Sequence, residues 1–380
     1  MSLLDQIKIL IPIVNEQMRN CQQNVRGFPV KMVCWFMVLS LAGCSDSGSS
    51  SSGKKQTSSQ IETVNMIDAG TTTLAVMRYL SEFIGQRTAG SEQEASTKNY
   101  IIQELTNLGY EPEQQQFKLT GNNSSLNQNT ESYNIIVTKQ GNGSYQLILG
   151  AHYDSVGVGT GAIDNASGAG ALIELAGRLK DNVLPYTLVF VFFGAEEAGL
   201  LGSHAYVAQM PASQCESIIG MLNFDTIAGG DYLYVHGDAS GYLREQALSL
   251  AAYLGYDVRT NPGKNPEYPQ GTTGSWSDHA PFHEVGIPYG VIEATNWDIG
   301  EKDGYTQTVE QGTLWHTSKD SLTFIESAFP RRIEQQLETV ISLVTHLLIN
   351  LELPENWNNS QCADKQLRSL IPVGHKHLRH

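Results

Sequence analysis

Positive charge is scarce in this sequence: 24 lysines and arginines stand against 39 aspartates and glutamates, a formal net charge of −15 over 380 residues. That balance argues against nucleic acid as the main partner, because phosphate backbones are held by clustered cations. Long apolar runs are missing too. The run Met32–Leu41 is far shorter than the roughly 20 residues a membrane-spanning helix needs. No Gly-x-Ser-x-Gly elbow stands near a strand end, which removes a serine-hydrolase arrangement. The glycine loop Gly157–Gly161 lacks the Lys-Ser/Thr that completes a phosphate loop. Cysteine is rare at five residues. Of these, only Cys215 and Cys362 lie beyond residue 44, and spacing leaves open whether they form a disulfide or stay as thiols.

The first 60 residues read as processing and tether, not as domain. Arg26 and Lys31 precede the short apolar run, and small residues follow it, which is the layout of a secretory signal. The ending Leu41-Ala42-Gly43-Cys44 resembles a bacterial lipobox, which implies cleavage before Cys44 and membrane attachment through its acylation. Residues 45–60 contain no apolar side chain and form a flexible Ser/Gly-rich linker. The folded domain is expected over 61–352, followed by a tail, 353–380, to which no role is assigned. The protein is thus expected to be exported, anchored in a bacterial cell envelope and monomeric.

Within the domain, apolar spacing over Ile61–Ile84 gives one or two helices, and Ser91 caps another that Gly109 stops. Tyr133–Thr138 and Gln146–Ala151 read as neighbouring strands of a hairpin around Gly141-Asn142-Gly143. Helices and near-continuous apolar strands then alternate. Ser167–Lys180 is a helix, Thr187–Phe193 a strand, Gly199–Gln209 a helix and Ile218–Phe224 a strand. Tyr242–Leu254 is a helix, Pro288–Ile292 a strand and Ala328–Leu351 a long helix. This pattern gives an α/β fold with a mostly parallel sheet covered on both faces.

In such sheets ligands bind beyond the carboxyl ends of the strands. His152, Asp164, Glu196, Glu197 and Asp225 all stand at or just after those ends, and His316 follows later. A two-metal hydrolytic site needs a bridging carboxylate, about two further ligands per ion and a base. Asp164 as bridge, His152 and Asp225 on one ion and Glu197 and His316 on the other would complete such a set. Glu196 would remain free as general base, and Asp154 would orient the His152 ring.

The motifs His152-Tyr153-Asp154-Ser155, Asp164-Asn165-Ala166-Ser167-Gly168, Glu196–Ser203, Asn223-Phe224-Asp225, Ser277–Phe282 and His316-Thr317 stand in this order. Together they resemble the di-zinc aminopeptidase family typified by secreted bacterial leucyl aminopeptidases, which also contains glutaminyl cyclases. Asp303–Thr308 with Trp315-His316-Thr317 is closest to the subgroup associated with alkaline phosphatase isozyme conversion. The resemblance implies a three-layer phosphorylase/hydrolase-like sandwich, two zinc ions per chain and a cis Asp164–Asn165 peptide. It also implies hydrolysis of the N-terminal bond of peptides or proteins by a metal-activated water with Glu196 as base. The alternative within the family is a single-zinc glutaminyl cyclase forming N-terminal pyroglutamate.

Plainer readings stand beside these. Glu196-Glu197 would also suit an exposed helix N-terminus, and Asp225 would suit a helix cap. His279 is read as orienting structure, and His204, His236 and His283 as surface or packing residues. The acidic loop Asp298, Glu301 and Asp303 either favours a basic N-terminal substrate residue or is a solvated loop, and the latter is the plainer reading.

Overall fold

A computed structural model describes residues 61–119 and 131–354, with Trp357 and Cys362. The signal and lipobox segment, the linker 45–60 and most of the tail lie outside the described residues.

Strand β4 (Thr187–Phe193) is buried along its whole length and shows how the layers arise. Successive side chains of a strand point to opposite faces. Leu188, Phe190 and Phe192 enter one apolar layer, while Val189, Val191 and Phe193 enter the other. Strand β3 (Gln146–His152) runs parallel beside β4, and β5 (Ile218–Phe224) runs parallel on the far side of β3. The first layer is closed by α3 (Ala166–Leu179), α6 (Tyr242–Leu254) and α9 (Arg332–Asn350). The second is closed by α4 (Leu201–Gln209), α5 (Ala212–Ser217) and α7 (His279–Glu284). Within α9, Ile333, Leu337, Val340, Ile341, Val344, Leu347 and Leu348 form the buried stripe that 3.6 residues per turn places on one side.

The eight-stranded sheet has the order β1-β2-β4-β3-β5-β8-β6-β7. The remaining strands are β1 (Glu113–Lys118), β2 (Glu131–Lys139), β6 (Tyr232–Gly237), β7 (Val258–Arg259) and β8 (Tyr289–Thr295). β3, β4, β5 and β8 are parallel, whereas β1, β2 and β6 add antiparallel pairings. The three-layer, mostly parallel mixed sheet expected from sequence is the fold observed. Elsewhere on the described chain are α1 (Thr71–Arg78), a π-helical continuation (Tyr79–Ile84), α2 (Glu92–Asn107) and α8 (Leu322–Ala328). Ser91 caps α2 as expected, accepting from the Glu94 N–H at 3.0 Å. No helix among the described residues is long and apolar enough to cross a membrane.

The structure corrects two expectations. β2 and β3 are not a hairpin, because β4 lies between them. The connecting turn bonds to the segment entering β4: the Asn142 N–H donates to Leu184 O, and the Thr187 N–H donates to Tyr145 O. Gly141 passes so close that a Cβ there would lie 2.0 Å from Tyr186 O. The long C-terminal helix is a single helix as expected but starts at Arg332, four residues later than the sequence suggests. The chain breaks at Phe329-Pro330-Arg331, where proline removes a donor and Arg331 turns to φ 65°.

A disulfide joins Cys215 to Cys362 across a sequence separation of 147, which decides the question the sequence left open.

Candidate metal centre and active site

The parallel strands deliver the chemistry to one rim. His152 is the last residue of β3, Glu196 and Glu197 follow β4, and Asp225 follows β5 directly. Asp164 is set at the start of α3, whose first turn is capped by Asn165 accepting from the Gly168 N–H at 2.9 Å. The Asp164–Asn165 peptide is cis, as the resemblance implies. α3 reaches β5 because residue 168 is glycine: a Cβ there would meet Phe224 O at 2.3 Å. His316 comes from the loop before α8. Ala195, Thr226 and His316 all take left-handed φ values of 54°, 47° and 52°. That conformation is costly for residues with a Cβ, and it tends to cluster at functional sites.

Asp164 stands between two histidines. Its Oδ1 lies 3.3 Å from His152 Nε2, and its Oδ2 lies 3.1 Å from His316 Nε2. His152 Nε2 is also 3.5 Å from Asp225 Oδ1, and His316 Nε2 is 3.0 Å from Glu197 Oε2. Two donor triads therefore share Asp164: His152–Asp164–Asp225 and Asp164–Glu197–His316, each able to converge on one ion. Glu196 stands within the same reach of His152 and Glu197.

The donor chemistry fits divalent cations. Among the described residues, Asp225 Oδ1 and Glu197 Oε1 are buried without a hydrogen-bond partner, and orphaned oxygens of this kind are costly unless something binds them. Charge leads to the same conclusion. Burial disfavours protonated His152, yet Glu196, Asp154, Asp164 and Asp225 outweigh it and raise its pKa well above the ordinary range. His316 rises to about 11 despite burial, through Asp164 and Glu197. Burial and the Asp164 charge lift Glu197 to about 7, while burial and Glu197 lift Glu196, against the pull of His152. The side chains alone thus hold an excess of buried negative charge that compact cations would balance.

A surrounding set of residues fixes these donors. Asp154 accepts the Glu196 N–H at Oδ1 (3.0 Å) and the Glu197 N–H at Oδ2 (3.2 Å). Its Oδ1 lies 3.4 Å from His152 Nδ1. It therefore positions the glutamate turn as well as facing the ring. Sequence reasoning missed three others. Ser277 donates to Asp225 Oδ2 at 2.7 Å, and Asp320 accepts the N–H groups of Ile163 (2.8 Å) and Asp164 (3.3 Å). Arg87, fully buried, donates to the carbonyls of Tyr153, Gly85, Thr160 and Gly161 and so joins the loops on either side of the site. The spacing of Asp320 four residues after His316 was the one available signal. His279 lies outside both donor triads: its Nε2 faces Gly274 O at 3.0 Å, and burial lowers its pKa to about 3.

A cavity of about 870 Å³ opens onto His152, Asp164, Glu196, Glu197, Asp225 and His316. Further walls come from two loops, the one between β7 and α7, with Tyr268 and Trp276, and the one after β8, with Tyr305.

The chain is 30% identical over 305 residues to the alkaline phosphatase isozyme conversion protein of Escherichia coli (strain K12), covering 72% of this chain and 88% of that protein. Among solved structures it resembles a zinc aminopeptidase from Bacillus subtilis, with TM-score 0.61, 20% identity and coverage of 78% and 98%. It also resembles a glutaminyl cyclase from Porphyromonas gingivalis, with TM-score 0.58, 21% identity and coverage of 74% and 97%. At these identities the structural likeness concerns the fold. The family itself is given by sequence, since residues 134–341 match peptidase family M28 over the strands and loops that carry the six clustered side chains. The chain belongs to peptidase family M28.

Proposed function

We propose that this chain is an extracytoplasmic zinc-dependent aminopeptidase that removes the N-terminal residue of peptides or proteins. The observation that carries the reading is Asp164, whose two oxygens face His152 and His316 separately. That geometry suits a carboxylate shared by two ions. His152 and Asp225 would complete one ion's set, and Glu197 and His316 the other's. Two zinc ions held there would polarise the scissile carbonyl and make a water molecule more acidic.

The protein's own part is positioning and proton transfer. Glu196 accepts a proton from the attacking water at its carboxylate and returns it to the departing amine nitrogen. Asp154 keeps Glu196 and Glu197 in register through their N–H groups. The free α-ammonium of a substrate meets the carboxylate-rich floor, and only a chain terminus offers that group. Export and attachment through Cys44 belong to the same proposal and rest on the signal-like segment.

The test is product analysis with Glu196→Gln. Wild-type protein is expected to release a free amino acid from the N-terminus of a short peptide. The variant is expected to keep its fold and metal and lose about 10²–10⁴-fold in kcat. Unchanged turnover would remove Glu196 from its role. Pyroglutamate formation from an N-terminal glutamine peptide, with no amino acid released, would favour the single-zinc cyclase.

A further inference from the structure

His316 differs from the other four donors in how it is held. His152, Asp164, Glu197 and Asp225 stand at strand ends or at the start of α3, whereas His316 sits in the long loop between β8 and α8. Its side chain is 37% exposed, against 12% or less for the others. Its φ of 52° is left-handed, and a residue with a Cβ keeps that conformation only where its surroundings impose it.

The motif Asp303–Thr308, which stands out in the sequence, supplies the restraint. Gln307 is 2% exposed. Its Oε1 accepts the N–H groups of Leu314 and Trp315, both at 2.9 Å. Two donors on one atom settle which way the amide faces, and Nε2 is buried without an acceptor among the described residues. The side chain is therefore held through its oxygen. Close by in the same motif, Tyr305 O accepts the Trp315 indole N–H at 3.1 Å. That indole lies 5.5 Å from the His316 ring between centroids, with 30° between the planes. On the other side of His316, Thr317 donates from Oγ1 to Leu314 O at 2.5 Å. The residues before and after the ligand are both tied down.

Gln307 is in turn fixed to the sheet. Its carbonyl accepts the N–H of Asp231 at 2.9 Å, immediately before β6. Asp231 Oδ2 accepts the Val309 N–H and the Asn296 Nδ2–H, each at 2.8 Å, and its Oδ1 accepts from Arg332 at 3.3 Å. Thr308 and Gly312 exchange backbone bonds of 3.1 and 3.0 Å and close the intervening turn. A continuous hydrogen-bonded path thus runs from Asp231 through Gln307 to the backbone beside His316. None of these bonds involves His152 or Asp225.

We infer that Gln307 is a positioning residue for His316. Its acceptor oxygen governs the metal position formed by Asp164, Glu197 and His316 and leaves the His152–Asp164–Asp225 position alone. The inference rests on the two-ion reading of the site and deepens it, by giving the Asp303–Thr308 motif a part in loading one ion. Losing a partner that orients a ligand weakens metal binding by about 10–100-fold.

The experiment is a zinc titration of the metal-free protein against a competing chelator, in wild type, Gln307→Met, His316→Ala and the double variant. Wild type is expected to take up two zinc ions. In Gln307→Met one of them is expected to bind about 10–100-fold more weakly, with the other unchanged. In the His316→Ala background Gln307→Met is expected to weaken neither position further, because two changes acting through one ligand do not add. Two unchanged affinities in Gln307→Met, equal weakening of both, or the full loss repeated in the His316→Ala background overturns the inference and leaves the two-ion reading standing. Fewer than two zinc ions in wild type removes that reading and the inference with it. Should Gln307→Met not fold, Gln307→Asn, whose amide is one methylene too short to reach both N–H groups, is read in the same way.

Discussion

Replacing Arg87 by methionine would show how much of the site is held from behind. The guanidinium makes four short bonds of 2.7–2.9 Å, three to carbonyls at the two ends of the loop between β3 and α3 and one to the end of the π-helical turn. A hydrogen bond to a charged group contributes about 1.5–3 kcal/mol, so four bonds amount to roughly 6–8 kcal/mol at the lower end of that range. Burial opposes this gain. It holds the Arg87 pKa at about 10 instead of 12.5, a penalty of about 3 kcal/mol that the variant would recover. Methionine fills much of the volume, so the net loss is about 3–5 kcal/mol. For a domain of this size that corresponds to roughly 6–10 °C in Tm, read by thermal unfolding of the metal-loaded protein. Thr160 and Gly161 lead into Asp164, so zinc affinity should fall as well. A variant that melts within about 2 °C of wild type would refute the claim that Arg87 holds the loops together.

Two other perturbations follow from the same contacts. Asp154→Asn keeps the shape of the side chain but turns an amide N–H toward the backbone donors of Glu196 or Glu197. About 10–100-fold should be lost in kcat/KM, and unchanged kinetics would contradict its positioning role. His279 gives a pH effect. Its folded pKa of about 3 lies below the ordinary 6.5, chiefly through burial, with His283 and His236 adding to it and the Gly274 carbonyl opposing. The unfolded chain therefore binds the extra proton first, and stability falls as pH drops from 6.5 toward 3, by about 2 kcal/mol at pH 5 from this residue. His279→Asn should flatten the Tm–pH profile over that window, and a profile parallel to wild type would sink the idea.

The parts of this molecule legible in sequence are those set by local pattern. β3, β4 and β5 announce themselves as apolar runs, and their ends carry the chemistry by a rule of parallel sheets. Ser91 and Gly109 bound a helix by capping chemistry that acts over a few residues. The sequence is silent where structure depends on distant partners. β1, with the polar run Glu113-Gln114-Gln115-Gln116, is an edge strand that carries no buried period. The supposed hairpin failed because the segment preceding β4 captures the hydrogen bonds of the turn, and nothing within residues 139–146 encodes that capture. Arg87, Ser277 and Asp320 act on residues 52 to 157 positions away, and His236 was read as packing because Glu293 lies 57 residues further on. Each is a long-range hydrogen bond, and such bonds leave no local signature.

The central claim is that His152, Asp164, Glu197, Asp225 and His316 hold two ions that share Asp164. Zinc per chain, measured on protein beginning near Ile61 after dialysis against excess zinc, tests it most directly. The expected result is about two zinc per chain in wild type, with occupancy falling in Asp164→Ala, where both donor triads lose a member. One zinc per chain in wild type, or two retained in Asp164→Ala, would contradict the shared site.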